Sequence, residues 1–401
     1  MVVKSRFAIR GNSKLGRIKW KYIIGILFCA AFVSYLTYLS IPPILPLIIK
    51  ELKITYTQGG LIISIGAIPC IIFSFLGGML ADKFGMKCAS LLSFTCLTLG
   101  SLIMFSSSFY PLLLLGRFIV GMGAAIAPVI TFSIISLSFP WKDIGKLVGL
   151  RSIAAPVASI ISFPLFSYIG VSYNWRICFL LTVLLNSTLL LLLFMAIHSI
   201  PSIESYGKSS VHGLFRRILT NSELWKLGMI WCLTCMALNL IWSWGPTIFT
   251  EFKGLSLSQA SLISTSWMFA HIPAGPLIGW VRDRYGLRKS IFVASLIAGM
   301  VIYPFILFVS EWLLLYISVF IGIASSSIPI SVYTLTPETV DKGSVATGYG
   351  FILMLYNLGN AIAPLTLGVL FDLTRSLELV LSLFSVFWLI ALIVASKLHI
   401  K

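Results

Sequence analysis

Charge is what this sequence has least of. Lys, Arg, Asp and Glu together make up 10% of its 401 residues, where a soluble domain carries about 25%. Only 12 residues are acidic, and none lies in the core of a long apolar run. No carboxylate pair, metal cluster or nucleophile–base set lies at bilayer depth, so an integral-membrane enzyme is not expected. No P-loop pattern occurs, which argues against ATP-driven work. No metal or cofactor is expected. The 7 cysteines are odd in number and almost all inside apolar runs. Cys232-x-x-Cys235 has a metal-like or redox-like spacing but no second ligand pair, and reads as small-residue packing. Asn186-Ser187-Thr188 matches a glycosylation acceptor but falls inside an apolar run, so it is discarded. The first apolar stretch is too long for a signal-peptide core and lacks a small-residue cleavage site. It reads as a retained helix.

What the chain has is apolar residues, 58% of the total. A membrane crossing needs about 20 of them in a row. The runs predict twelve crossings, at 22–49, 57–80, 87–107, 109–138, 146–170, 175–197, 224–249, 257–281, 289–309, 311–335, 344–371 and 377–396. In lipid these must be helices, because an unpaired backbone group there costs several kcal/mol. Pro42, Pro156, Pro246, Pro273 and Pro364 fall inside them and predict kinks. The expected organisation is a basic tail at 1–21, a six-helix unit at 22–197, a polar linker at 198–223 and a second six-helix unit at 224–401.

Basic residues set the orientation. Of 29 Lys and Arg, 23 fall on the side of the N-terminus. Five (Lys50, Lys53, Arg176, Lys253 and Arg375) fall on the other side, and Arg117 lies within a crossing. The bias predicts both termini in the cytoplasm, in the cell (plasma) membrane. The +17 net charge is then mostly topology, with the lipid bilayer as partner and no nucleic acid. Action as a monomer is expected.

The chain is also written twice. Gly78-Met79-Leu80-Ala81-Asp82-Lys83-Phe84-Gly85-Met86-Lys87 returns as Gly279-Trp280-Val281-Arg282-Asp283-Arg284-Tyr285-Gly286-Leu287-Arg288, an offset of 201 residues. Gln58, Leu61, Gly121 and Pro128 map to Gln259, Leu262, Gly322 and Pro329 at the same offset. An internal repeat of membrane helices is a signature of secondary transporters. Gly85 and Gly286 permit a tight turn between antiparallel helices. Asp82 and Asp283 can face a helix N-terminus or an arginine. Lys83, Lys87, Arg284 and Arg288 anchor the loops on the cytoplasmic side.

On these motifs the whole chain resembles the major facilitator superfamily. Gly116-Arg117-Phe118-Ile119-Val120-Gly121-Met122-Gly123 is similar to the family's Arg-x-x-x-Gly-x-Gly pattern in the fourth crossing. Asn174-Trp175-Arg176 opens the sixth as in the family. The resemblance implies an all-α membrane fold of two pseudo-symmetric six-helix bundles, a central cavity and alternating access. It also implies that Asp82 and Asp283 latch one state. The fifth crossing departs from the antiporter signature. Ala154-Ala155-Pro156-Val157-Ala158-Ser159 keeps the proline but has small residues where that signature has glycines.

Arg117 is the sharpest single residue. An arginine at mid-helix costs about 2.5–3.5 kcal/mol, and its repeat partner is Ser318, so symmetric packing does not require it. It reads as an anion-binding or coupling site, or else as an arginine satisfied by backbone carbonyls. His271 is a candidate proton carrier or a helix–helix hydrogen bond. Tyr349, Tyr356 and Asn360 share a helix face, with Asn357 beside it. Asn239, Trp242 and Trp244 cluster near Pro246, and Tyr35 and Tyr38 are candidates to face a cavity. Each alone reads first as glue between helices, and only the set reads as a candidate cavity lining. Arg151 reads as an interfacial anchor. The leading expectation is a secondary transporter of a small organic solute, with an anionic metabolite as the narrower reading and a coupled proton or other ion as co-substrate. A multidrug/proton antiporter, which would want a buried carboxylate, and a non-transporting membrane sensor are the alternatives. Reporter fusions after Gly207 and at Lys401 are expected to give a cytoplasmic signal; an external signal at either point overturns the topology.

Overall fold

The computed structural model describes residues 14–138, 147, 151, 153–196, 219–285, 288–306, 309–340 and 345–398. Regular structure among them is helical. In chain order it comprises α1 (Lys14–Tyr38), a 3-10 turn (Pro42–Ile44), α2 (Leu45–Leu52), α3 (Tyr56–Phe105), α4 (Tyr110–Ser138), α5 (Ala154–Ser172), α6 (Trp175–Ala196), α7 (Ser222–Trp242), α8 (Gly245–Glu251), α9 (Leu257–Tyr285), α10 (Arg288–Phe305), α11 (Glu311–Thr339), α12 (Val345–Thr374) and α13 (Leu377–Ser396). α1 starts at Lys14, so the helix takes in the end of the basic tail. Most of the predicted linker lies outside the described residues.

Among the described residues ten segments are long and apolar enough to cross a bilayer, and Ser290–Phe305 is a shorter apolar helix. The crossing predicted at 257–281 is α9, diluted by Ser261, Ser264, Thr265 and Ser266. All four are buried among neighbouring helices, and the Ser264 hydroxyl donates to the Ala260 carbonyl at 2.7 Å. Polar residues cross lipid here because the bundle hides them. With α1–α2 and α7–α8 as broken crossings and α3 as two, the chain makes twelve passes.

α3 holds 50 residues. Straight, it would run about 75 Å, far beyond a hydrocarbon core of about 30 Å. The break is a single residue, Gly85, at φ 85° and ψ 154°, a region open essentially to glycine alone. The loop expected here shrinks to that residue. Contacts with α4 show the reversal. In the first arm Gly66 meets Gly121 and Gly77 meets Ile126, running parallel. In the second, Gly100 meets Gly116 and the Ser93 hydroxyl donates to the Gly123 carbonyl at 2.7 Å, running antiparallel.

The sequence repeat is also a packing repeat. A Cβ on Gly121 would lie 2.3 Å from the Gly66 carbonyl oxygen, and one on Gly322 would lie 2.1 Å from that of Trp267. Both residues of the second pair stand 201 positions after those of the first. Close backbone approach of this kind joins helices where lipid removes the hydrophobic drive.

At the end remote from the termini the halves are sealed. Gly60 abuts the Pro364 carbonyl and Gly368 that of Tyr56, with Cβ clearances of 2.2 and 2.3 Å. Asp372 of α12 then caps α3, accepting from the backbone N–H of Tyr56 (3.1 Å) and Thr57 (2.7 Å). A carboxylate at a helix N-terminus satisfies orphan donors and meets the positive end of the dipole. On the same side Glu51 accepts from Trp175 Nε1 at 2.7 Å and pairs with Arg176, fastening α2 to α6.

Gly322→Ala is expected to lower the melting temperature of the purified protein by the equivalent of about 1–3 kcal/mol. Gly350→Ala, whose Cβ meets nothing within 4 Å, serves as the control. Equal melting of the two variants sinks the close-approach account.

Candidate functional site

Prolines create the centre of the molecule. A helical carbonyl normally accepts from the N–H four residues on, and proline has none. Pro42, Pro246 and Pro364 therefore leave the carbonyls of Tyr38, Trp242 and Asn360 without their usual helical donors. All three residues line one cleft between the halves. The first half adds Leu39, Pro42, Ile63 and Arg117, and the second adds Asn239 and Ser243. Free space is about 10 Å³, room for about one water, so the cleft is closed in this state.

Arg117, 1% exposed, is the cation of the cleft. One terminal nitrogen donates to the Tyr38 carbonyl at 2.7 Å, the carbonyl that Pro42 left open. The guanidinium carbon stands 4.7 Å from the Tyr38 ring centroid. Nε has no hydrogen-bond partner, and the described ion pairs leave Arg117 without a carboxylate. Gly66 makes the space: a Cβ there would stand 2.5 Å from Nε.

The repeat inverts this arrangement. Positions 66 and 117 hold glycine and arginine, whereas their counterparts 267 and 318 hold tryptophan and serine. The large side chain moves from one helix of the pair to the other and loses its charge. Trp267 then packs 5.8 Å from Trp242, which lines the cleft. Opposite Arg117, Asn239 Nδ2 donates to the Cys235 carbonyl (2.9 Å) and to Asn360 Oδ1 (3.1 Å), while Asn239 Oδ1 accepts from Ser243 Oγ (2.7 Å). The cleft thus offers a guanidinium edge, two linked amides, a hydroxyl, an indole and proline-freed carbonyls. Among the described residues no group of three His, Cys, Asp or Glu is placed to hold a metal.

Of the predicted residues, Arg117, Tyr38, Asn239, Trp242 and Asn360 come together in the cleft. His271 does not line it. It stands behind, 5.5 Å from Trp267, with Nδ1 unpartnered. Tyr356 packs on Trp231 at 4.6 Å, and Asn357 is half-buried outside the lining. Trp244 is fully buried and donates to the Pro364 carbonyl at 3.1 Å, so it is a strut. Tyr35 lies under Arg151, which is 5% exposed rather than an interfacial anchor. In the repeated motif, Gly78, Asp82 and Lys83 sit on the first arm of α3, Gly279 and Asp283 on α9, and Arg288 opens α10. The side chains of Asp82, Lys83, Asp283 and Arg288, and the whole of Gly286, lie outside the described residues. Lys87 is half-buried, and Arg284 lies over Trp280 at 4.9 Å. Sequence reasoning missed Gly66 and Ser243. The rule that proline frees the carbonyl four residues earlier points to the cleft from sequence alone.

Gly66→Ala is expected to displace the guanidinium and weaken solute binding about tenfold or more without loss of membrane expression. Unchanged affinity, read by solute-induced thermal stabilisation, means Arg117 does not touch the solute.

The chain matches known proteins over nearly its whole length. The family model described as Major Facilitator Superfamily matches residues 27–259 and 232–399. The hexuronate transporter of Bacillus subtilis is 26% identical, with 88% of each chain covered. A probable sulfoacetate transporter, SauU, of Cupriavidus necator is 26% identical over 85% of this chain and 79% of that one. Among solved structures, a point mutant of the nucleoside transporter NupG superposes with a TM-score of 0.80 at 16% identity, covering 95% of this chain and 100% of that one.

Proposed function

We infer the function from one premise: this chain belongs to the major facilitator superfamily. It is a multi-pass membrane transporter with the twelve-helix fold of that family. The finer reading is secondary active transport of a small organic anion by alternating access of the two halves. One observation carries it: a buried guanidinium between the halves, with no carboxylate against it among the described residues and one donor unfilled. An anion there recovers the cost of burying the charge, about 2.5–3.5 kcal/mol. The proline-freed carbonyls and the Asn239–Asn360 pair accept from and donate to hydroxyls, which favours a hydroxylated acid. The relatives named for hexuronate and sulfoacetate are named for organic anions, which supports the sign of the charge.

Each part of the bundle has a role in this reading. The seal of Asp372 on α3 holds the external side shut, and both termini are cytoplasmic. Asp82 and Asp283 latch the cytoplasmic side in the opposite state. His271, linked to the cleft through Trp267 and Trp242, is the group through which a proton couples. Among the described residues no acidic one lines the cleft, which disfavours a cationic-drug antiporter.

In proteoliposomes, Arg117→Ala is expected to raise the dissociation constant of the transported acid by about 10- to 150-fold, the range of a hydrogen bond to a charged group. Arg117→Lys should rescue only partly, because lysine lacks the planar fork. Uptake of an organic cation that persists unchanged in Arg117→Ala, with no acid transported by the wild type, overturns the anion reading.

A further inference from the structure

A second arginine is buried in the same half, and the cleft does not use it. Arg151 Nε donates to Thr131 Oγ1 at 3.1 Å, and one terminal nitrogen has no hydrogen-bond partner. The guanidinium carbon lies 4.0 Å from the Phe132 ring centroid and 5.6 Å from that of Tyr35. A cavity of about 10 Å³ opens beside it, lined otherwise by Ile24, Leu27, Phe28, Ile135 and Leu147. The guanidinium is the polar feature of an apolar chamber. Across the half interface Tyr333 of α11 stands within electrostatic range of both Arg151 and Tyr35.

α1 relates the two arginines. Tyr35 and Tyr38 are three residues apart, hence on one helix face. Arg117 covers the second and Arg151 the first. Along α4, the backbones of Arg117 and of Thr131, which holds Arg151, are separated by about 21 Å of helix, and both side chains reach toward α1, so the two cations lie one after the other along the half. They are successive rungs. The second half supplies an opposing wall of rings: Tyr356 on Trp231 (4.6 Å), Trp231 on Tyr333 (5.1 Å) and Tyr333 on Tyr349 (5.7 Å). This series starts one turn from the cleft residue Asn360 and runs toward the N-terminus of α12, the same direction in which Arg151 lies from Arg117.

We propose that Arg151 is a second anion-binding station, which takes the carboxylate or sulfonate of the solute after it leaves Arg117 and before it reaches the cytoplasm. The inference rests on the anionic reading of the cleft. The solute moves between a cationic wall in the first half and an aromatic wall in the second. Loss of the lower station slows passage without changing first capture, so it lowers turnover rather than affinity.

The test uses the full chain in proteoliposomes, with whichever of glucuronate, sulfoacetate and benzoate most stabilises the purified wild type. Arg151→Met keeps the volume over Phe132 and removes the charge. It is expected to leave the stabilising concentration and KM within about threefold while turnover at saturation falls about tenfold or more. Arg151→Lys should restore part of that turnover. A purely structural arginine predicts wild-type turnover in a folded Arg151→Met, and that result overturns the proposal. Should Arg151→Met not fold, Arg151→Lys decides: a turnover about threefold below wild type with KM unchanged supports the station, and wild-type turnover overturns it. Arg117→Gln separates the two readings. If none of the three acids stabilises the wild type, or if Arg117→Gln binds them as well as wild type does, the cleft reading falls and this one with it. If binding depends on Arg117 but turnover ignores Arg151, only the second station falls.

Discussion

Backbone meeting backbone through glycine is the constraint on which this molecule is built. In a bilayer an apolar side chain gains little by leaving lipid for protein, so helices must earn their contacts by close packing. Gly121 and Gly322 bring α4 and α11 against carbonyls of the helices that precede them in each repeat, and Gly60 and Gly368 do the same across the halves. Everything polar follows from those approaches. Gly66 clears the volume into which Arg117 folds, and the tight crossing of α3 on α12 delivers Asp372 to two free amide groups.

The cleft is a balance between a costly charge and incomplete compensation. Arg117 has one carbonyl and the face of one ring. The carbonyl is available because Pro42 cannot compete for it, and because the end of a helix is electrically negative. That arrangement makes the arginine tolerable without neutralising it. An acidic neighbour would have stabilised the empty protein more and left less attraction for a solute. On the proposed anion reading, the unfilled Nε is the preorganised donor that a solute would take.

Depth in the membrane was legible in the sequence, and direction around the helix was not. Apolar runs gave the passes, and the 201-residue offset reappears as paired glycine contacts. Arg117 stood out because its depth alone makes it costly. Arg151 was misread because it lies near the edge of an apolar run, where depth predicts a snorkelling anchor. Its neighbours Thr131 and Phe132 come from α4, and nothing local announces them. His271 sits at the right depth but behind Trp267. α9 was legible as a pass although its buried serines and threonine dilute its hydropathy, which counts side chains and not the helices that shelter them.

The exchange of Gly66 and Arg117 for Trp267 and Ser318 has a consequence for how such a chain diversifies. Two equivalent sockets from one duplication need filled volume to keep their helices apart at the right spacing. Within that limit, which helix supplies the bulk and whether the bulk carries charge can vary. One socket here is cationic and the other aromatic, on the same backbone scaffold. A duplicated membrane protein can therefore acquire a chemically lopsided interior while its packing stays symmetric, so specificity can drift in one half without disturbing the helix crossing that both halves share.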